Sequence, residues 1–502
     1  MSGLSSLKKN AVETFISSYL IQFASKFISI ITQLIIARFF LSTEEFGIFL
    51  YVFFIFSIIN NLRDLGISTQ VIRQKDIDYS LINSLFFVLS SAITLLQIIY
   101  GCFIYKTNPS YSKALIFMSL SYVPTALGSV PSIYFAQNLL IKKTLNARIS
   151  SMIAYFFGAI MLTYAGLGAS GLALAKFLQS AVFTILIRIK ASDIIKTNFK
   201  LSGTRNIVKE SYKFFINDNL GLLTTEIYNY VIKNFVSTAS LAIYRAAYSL
   251  VDIPVNIIEQ AFYKVAYPMF SKLSSDKEKL LNAYSFLTII LFCVEVPVYL
   301  YIFFNSELLI YFTYGSKYST SSEMIKWLAF VPIFTPYTTF GIELFKSLKK
   351  DNWLLTYIFI GSFLIILFSF ILTANYGIKG TAAANYLGLN YFIIYYFIYK
   401  NFKKHFYYIL KKMAVIYLFP ASLFYITSNT EFKFGFLKSS VIFFANSVKP
   451  LSETLYRKIS DLNLKLEIIS QGLYHLIFLV LIFYIFYIFI YKKMQKELGI
   501  KL

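Results

Sequence analysis

Repeated apolar stretches, each long enough to cross a bilayer, constrain the fold of this chain more than any other feature. A transmembrane helix needs about 20 predominantly apolar residues. The sequence contains fourteen such stretches, at 14–40, 46–62, 81–105, 114–137, 149–165, 170–189, 212–236, 241–263, 281–304, 321–345, 353–374, 380–399, 413–428 and 473–491. The thirteenth is the weakest because it is short and contains Pro420. We therefore predict an all-α polytopic membrane protein with about fourteen transmembrane helices.

The composition supports a membrane protein and excludes several soluble classes. Hydrophobic residues make up 57% of the 502 residues and charged residues 14%, whereas soluble domains contain about 45–50% apolar and about 25% charged residues. The only histidines are His405 and His475, and Cys102 and Cys293 lie in separate apolar stretches. These counts argue against a disulfide framework and a histidine-based catalytic or metal centre. We expect no metal and no cofactor.

The basic residues predict the orientation of the chain. Lys and Arg total 47 against 24 Asp and Glu, a net charge of +23. With a cytoplasmic N-terminus, 31 basic residues fall on cytoplasmic segments, and the short external loops hold only Lys106, Lys113, Lys317 and Lys379. Since positive residues are enriched in cytoplasmic loops, we predict an even number of spans with both termini in the cytoplasm.

A polar, basic segment divides the spans into two groups of six. The predicted organisation is an N-lobe at 1–190, a cytoplasmic linker at 191–211, a C-lobe at 212–400, and two further spans within 401–502 that flank an external loop at 429–472.

The first and seventh spans end in similar sequences. Residues 37–43 read Ala-Arg-Phe-Phe-Leu-Ser-Thr and residues 232–238 read Ile-Lys-Asn-Phe-Val-Ser-Thr, at an offset of 195 that matches Arg38 with Lys233. An even number of spans between the copies keeps their orientation, so the repeat is parallel, as in transporters whose two lobes are related by an axis along the membrane normal. We predict a central cavity between two six-helix lobes, with two additional C-terminal helices.

Charged residues inside the predicted spans point to this cavity. A charge near the bilayer centre costs about 2.5–3.5 kcal/mol on insertion scales and normally faces a cavity or a partner. The candidate substrate-binding cations are Lys26, Arg38, Lys233 and Arg245. Helical spacing places Gln22, Ser29 and Gln33 on the face of the first span that carries Lys26. The same spacing groups Arg245, Asp252 and Glu259 on the eighth span, and Glu226 and Lys233 on the seventh.

Two other interpretations of these charges stay open. Acids and bases on different helices would neutralise each other as ion pairs and hold the lobes together without a substrate. Lys26 fits this role less well because its own span has no acid in its interior. Charges near span ends, such as Arg38, Glu259 and Lys326, would reach the lipid–water interface.

Motifs of common enzyme classes are absent from the sequence. It contains no phosphate-binding GxxxxGK[ST] loop and no HExxH motif, and two distant histidines do not make a catalytic triad. Asp76-Ile77-Asp78 matches the short D-x-D pattern of many glycosyltransferases, but it falls on a predicted cytoplasmic loop, where a solvated position explains it. We expect a protein that is not an enzyme.

The first ninety residues resemble a known transporter family. Residues 35–49, with Ala37-Arg38 followed by Glu45-Phe46-Gly47, are similar to the "ARxLxxxEFGxF" opening of Wzx-type polysaccharide flippases. Residues 64–74 resemble the segment that follows the second span in those proteins. The family belongs to the multidrug/oligosaccharidyl-lipid/polysaccharide exporter superfamily. Residues 400–502 depart from the twelve-span pattern of many members.

The resemblance implies a flippase of the bacterial inner membrane. Such a protein moves undecaprenyl-diphosphate-linked oligosaccharide repeat units of O-antigen or capsule to the periplasmic leaflet, by alternating access driven by an ion gradient. The implied partners are this lipid-linked oligosaccharide, membrane lipids, and the polysaccharide polymerase and chain-length machinery, with no nucleic acid. The basic residues would hold the diphosphate, and Glu226, Asp252 and Glu259 are the candidates for ion coupling.

Three alternatives compete with this interpretation. A lipid II flippase of the same superfamily would also need many spans and a cationic cavity. A multidrug exporter would place an acid in the first span, where this chain has Lys26. An O-antigen polymerase or ligase would use charged residues in a large external loop, but the parallel repeat argues against it. The sequence does not specify the sugars.

Overall fold

A computed structural model of the chain describes residues 24–71, 78–138, 140–192, 226–330, 335–388 and 391–429, with residues 21, 211, 224 and 472 and parts of 475–484. This part of the chain is helical and contains no β-strand. Contacts divide the protein into two compact units, Met1–Ala242 and Ile243–Leu502. Among the described residues, seven helical segments are long and apolar enough to span a membrane. The all-α class is confirmed, while the lobe boundaries stay a prediction.

The first unit is built around the helix Gly168–Lys190, against which several of the other helices pack. Its helices are α1 (24–39), α2 (Thr43–Asp64), α3 (Ile67–Val71), α4 (Tyr79–Ile104), α5 (Pro109–Ser119), α6 (Tyr122–Gln137), α7 (Leu145–Leu162), α8 (Gly168–Lys190) and α9 (226–235). Side-chain caps fix where several begin. Ser42 and Glu45 form a reciprocal capping box at α2, and Asp78 and Asn108 accept backbone N–H groups at α4 and α5.

The second unit is built around α11. Its helices are α10 (Thr238–Leu273, which begins in the first unit), α11 (Lys277–Phe304), α12 (Ser306–Thr313), α13 (Ser321–Leu328), α14 (Thr335–Ser347), α15 (Asp351–Gly388), α16 (Tyr391–Asn401) and α17 (Lys403–Asn429). α11 packs against α14 and α17 around buried side chains that include Tyr284, Phe292 and Phe340. Asp276 caps α11 by accepting the backbone N–H of Lys279.

The helices on the surface are apolar where a soluble protein would be polar. On α4, Leu96 and Ile99 are each 66% exposed and Phe103 is 84% exposed, while Ser90 and Gln97 of the same helix are buried. Large contiguous apolar surfaces are rare on soluble monomers. Together with the long apolar helices, this surface identifies the protein as an integral membrane protein.

A glycine turn at which the chain folds back on itself is present in the described part of both units. Gly168, between α7 and α8, has φ 54°, and Gly377, within α15, has φ 59°. Three residues later, Gly171 and Gly380 pack against the helix that precedes the turn. A Cβ on Gly380 would lie 1.9 Å from the carbonyl oxygen of Leu372, eight residues earlier. Residues at this separation are about 12 Å apart in a straight helix, so the chain folds back on itself at each turn.

A comparison of the α1–α2 connection with the α9–α10 connection shifts the predicted match between the ends of the first and seventh spans. The carbonyl of Ile36 closes α1 and that of Ile232 closes α9, each by accepting the backbone N–H five residues later. These equivalent positions are 196 residues apart, not 195. The match of Arg38 with Lys233 is therefore wrong by one residue, because the first connection is one residue longer. A shift of one residue rotates a side chain by about 100° around the helix axis, so Arg38 and Lys233 do not occupy equivalent positions.

His405 predicts a pH dependence of stability. It lies at the start of α17, before the predicted span, and its Nε2 is 3.0 Å from Asn282 Oδ1. Burial, together with the neighbouring Lys404, lowers the pKa of His405. The folded state therefore binds this proton less readily than the unfolded state, so stability is full above the unfolded pKa of about 6.5 and falls as the pH drops below it.

This dependence is measurable as the thermal unfolding temperature of detergent-purified protein between about pH 8 and about pH 5. We expect the wild type to lose stability toward the acid end and the His405→Gln variant to lose less. Equal slopes for the two proteins would contradict the role of His405.

Candidate functional site

Lys233 lies among aromatic rings of the first unit. Its Nζ is 4.8 Å from the ring centre of Tyr51 on α2 and 5.8 Å from that of Tyr111 on α5. It also lies 3.2 Å from Asn234 Oδ1, to which it donates. Tyr111 is positioned by the helix cap, since Asn108 Oδ1 accepts its backbone N–H. The predicted cation at 233 is thus held by two tyrosine rings and an amide.

Lys176 on α8 has a similar environment, although it is not among the four predicted cations. Its Nζ donates to Gln179 Oε1 at 2.9 Å, one turn along the same helix. The Nζ is 4.4 Å from the ring centre of Tyr155 on α7 and 5.1 Å from that of Phe53 on α2. A cation over the face of an aromatic ring is attracted to it by about 0.5–2 kcal/mol. These contacts hold the ammonium without neutralising its charge.

The other predicted residues of the first unit that the structure describes lie on α1 and α9. Lys26 is exposed, Ser29 and Gln33 are partly buried, and Gln22 lies outside the described residues. Arg38 is in the last turn of α1, with its guanidinium 5.4 Å from the ring centre of Phe39. On α9, Glu226 accepts a hydrogen bond from Asn229 Nδ2.

Arg245 is the predicted cation of the second unit. It lies on α10, partly buried, with its guanidinium 5.6 Å from the ring centre of Tyr248. The helix is fixed beside it by two bonds: Ser249 shares a hydrogen bond of 2.7 Å with the Tyr314 hydroxyl, and Ser321 Oγ donates to the carbonyl of Ile243 at 2.9 Å.

Ion pairing accounts for some charges of the predicted spans and not for others. In the part of the chain that the structure describes, salt bridges join Lys279 to Asp276, Lys326 to Glu307, Lys346 to Glu343, and Lys379 to Glu323. Within the same described residues, no carboxylate forms an ion pair with Lys176, Lys233 or Arg245. The ion-pair interpretation therefore holds for Lys326 and Glu343 but not for these three cations.

Two of the predicted coupling acids lie on α10 of the second unit. Glu259 accepts a hydrogen bond from Thr339 Oγ1 of α14 at 3.1 Å, and Asp252 acts on it electrostatically from the same helix. Glu295 of α11 is fully buried, and its Oε2 lies at hydrogen-bond distance, 3.3 Å, from Thr335 Oγ1. The structure thus brings a further acid and two threonines to Glu259. No group of three His, Cys, Asp or Glu side chains that could hold a metal ion occurs among the residues described.

The partners of these charges were not predicted from the sequence. Tyr51 and Tyr111 carry no local signal, because they are two of 40 tyrosines. A signal did exist for α14, where Thr335, Thr339 and Glu343 follow each other at steps of four and so share one helix face.

Comparison with protein families decides the broader assignment. The family model described as "Polysaccharide biosynthesis protein" matches residues 35–323, more than half of the chain. The chain belongs to this polysaccharide biosynthesis protein family. The lipopolysaccharide biosynthesis protein WzxC of Escherichia coli (strain K12) is 20% identical over 314 residues, which cover 61% of this chain and 63% of WzxC. The chain thus matches somewhat less than two thirds of that relative's length.

Solved structures show which fold this family member has. The lipid II flippase MurJ, in an inward closed conformation, superposes with a TM-score of 0.61 at 18% identity, covering 82% of this chain and 99% of MurJ. An inward-facing multidrug resistance MATE family transporter of the MOP superfamily gives a TM-score of 0.56 at 15% identity, covering 78% of this chain and 95% of that one. The chain has the fold of the MOP transporters.

Proposed function

We propose that this protein is a flippase for undecaprenyl-diphosphate-linked oligosaccharide repeat units of O-antigen or capsule. The observation that supports this most directly is the set of side chains that surround three of its cations. Lys176, Lys233 and Arg245 face aromatic rings and have no acidic partner among the described residues. Positive charge that no described carboxylate neutralises is available to an anionic substrate.

The pairing of cations with tyrosines suits both parts of such a substrate. A diphosphate carries about two negative charges, and an ammonium or guanidinium group binds it through charge-assisted hydrogen bonds. Tyrosine rings offer an apolar face to a sugar ring and a hydroxyl for hydrogen bonding. The polyprenyl chain would stay in the lipid during transport. Lys26 and Arg38 would add positive charge along the path.

An ion gradient would drive the transport. Glu226, Asp252 and Glu259 remain the candidate coupling residues, and the hydroxyl bond from Thr339 to Glu259 favours the last of them. By alternating access, the substrate would bind from the cytoplasmic leaflet of the bacterial inner membrane and leave to the periplasmic leaflet. Both termini would be cytoplasmic, and the polysaccharide polymerase and chain-length machinery would take over the product.

A gene-deletion strain tests this function. We expect loss of surface polysaccharide and accumulation of single lipid-linked repeat units on the cytoplasmic leaflet. Single units that reach the periplasmic leaflet without being polymerised would identify a polymerase instead. Normal surface polymer would contradict the proposal and direct attention to lipid II or to drug export, the activities named for the structurally similar MurJ and MATE proteins.

A further inference from the structure

Glu295 is a buried acid whose hydrogen bonding is incomplete. It lies in the middle of α11 with 0% exposure. Its Oε2 lies at hydrogen-bond distance from Thr335 Oγ1, while Oε1 has no hydrogen-bond partner among the described atoms. A buried carboxylate with an unpaired oxygen is strongly unfavourable, whereas the unpaired carbonyl of a neutral carboxylic acid costs much less.

Thr335 connects Glu295 to a second acid. Thr335 Oγ1, 3.3 Å from Glu295 Oε2, also acts on the carboxyl group of Glu259. Glu259 accepts a further bond from Thr339 at 3.1 Å. Three side chains from α10, α11 and α14 therefore form one chain in the order Glu259, Thr335, Glu295.

The number of hydrogens in this chain determines its charge. A threonine hydroxyl has one hydrogen to donate and two lone pairs to accept with, and an ionised carboxylate only accepts. If both acids were ionised, Thr335 would have one hydrogen for two acceptors. If one acid is protonated, it donates to Thr335 Oγ1 and Thr335 donates to the other acid, so both bonds form.

We propose that Glu259, Thr335 and Glu295 form a proton-binding site that holds one proton, on Glu295, in the conformation seen here. Glu259 is the ionised partner because it accepts the bond from Thr339 and Thr335 also acts on it, while Glu295 has no exposure and an oxygen without a partner among the described atoms. This proposal rests on the proposed function only for its role, which is to supply the proton that couples the gradient to flipping.

The titratable groups that act on the two acids include a further acid and two tyrosines. The protonation state of Glu295 therefore determines the net charge of the site. Asp252 on α10 acts on Glu259, and Glu259 and Glu295 act on each other. Tyr299 on α11 and Tyr357 on α15 also face the acids. Lys346 on α14 is engaged by Glu343 at 2.8 Å.

Proton release would change the packing of three helices. When Glu295–H gives its proton to water, a carboxylate remains beside Glu259, and Thr335 loses one of its two bonds. Two like charges in a poorly solvated interior repel each other, so α10, α11 and α14 would separate or admit water. The site thereby links the protonation state to the conformation of the second unit.

Infrared difference spectroscopy tests the site without any substrate. The C=O stretch of a carboxylic acid is distinct from that of a carboxylate and shifts in D2O. At about pH 7 exposed Asp and Glu are ionised, so a carboxylic acid band in protein purified in an ester-free detergent reports an unusual acid. We expect this band in the wild type, its loss in Glu295→Gln, and a frequency shift in Thr335→Val, where the bond acceptor is missing. Glu343→Gln, which removes an ion-paired acid of α14, is the matched control and should leave the band unchanged.

Several results would overturn the proposal. They are absence of the band in the wild type, an unchanged band in Glu295→Gln, or loss of the band when Na+ replaces K+ at constant pH, which would identify a sodium site. If Glu295→Gln does not fold, an unshifted band in Thr335→Val overturns it equally. Because the spectrum needs no lipid-linked substrate, a confirmed band in a strain with normal surface polymer would retain the proton site and reject the flippase.

Discussion

Replacing Lys233 with methionine should reduce flipping of the lipid-linked oligosaccharide at least about tenfold while the protein still folds. Methionine keeps the length and the apolar stem of lysine and removes only the charge that lies over Tyr51 and Tyr111. A hydrogen bond to a charged group contributes about 1.5–3 kcal/mol, which corresponds to about 10- to 150-fold in affinity. The loss should appear as weaker substrate binding in reconstituted vesicles, and Lys176→Met should behave similarly.

Two control variants distinguish the loss of the Lys233 charge from a general effect of mutation on the protein. Lys233→Arg keeps a cation over the tyrosine rings and should retain most of the activity. Lys326→Met removes a surface lysine paired with Glu307 at 3.3 Å and should flip at the wild-type rate. Wild-type flipping by Lys233→Met would remove this lysine from the substrate site, and equal loss in Lys326→Met would indicate a nonspecific effect of charge removal.

Replacing Gly47 with alanine should strongly destabilise the first unit. Gly47 is in the first turns of α2, where a Cβ would lie 1.8 Å from the carbonyl oxygen of Thr238 at the start of α10. The neighbour is backbone, so a whole helix start must move. Overpacking of a tight site costs about 1–3 kcal/mol, and we expect the thermal unfolding temperature to fall by about 5–10 °C.

Gly158→Ala is the matched control for this loss. Gly158 is also helical, in α7, but a Cβ there would be no closer than 3.5 Å to its nearest neighbour, Leu178 Cδ1. Alanine is favoured over glycine in a helix by about 1 kcal/mol, so this variant should be as stable as the wild type or slightly more stable. Similar unfolding temperatures for the two variants would show that the approach of Thr238 to Gly47 does not matter.

The positions of many helices could be predicted from the sequence because apolar length is a local property. The break in α15 at Gly377 falls between two predicted spans, and α11 ends at Phe304 as expected. Other boundaries depend on turns that length does not reveal. The predicted span at 114–137 is present as one segment, Pro109–Gln137, but it is interrupted at Leu120 and Ser121 between α5 and α6.

The charged residues of the site could be predicted from the sequence, but the side chains that contact them could not. Lys233 and Glu259 stand out in the sequence because a charge in an apolar stretch needs a compensating contact. The contacts come from other helices: Tyr51 from α2, Thr335 from α14 and Glu295 from α11. Contacts between distant segments follow from packing, which hydrophobic spacing alone does not determine.

The glycine turns also bear on how the protein is made. α7 and α8 are joined at Gly168 with almost no loop, and the segment Ile141–Lys190 is one helical stretch of 50 residues. A connection this short leaves little chain for an external loop while the second half of the segment enters the bilayer. We therefore expect the insertion machinery to receive the two halves as a single helical hairpin, in which Lys176 lies against Tyr155 of α7. The neighbouring helix α7 would then offset the energetic cost of inserting the Lys176 charge during synthesis, before the later helices are made.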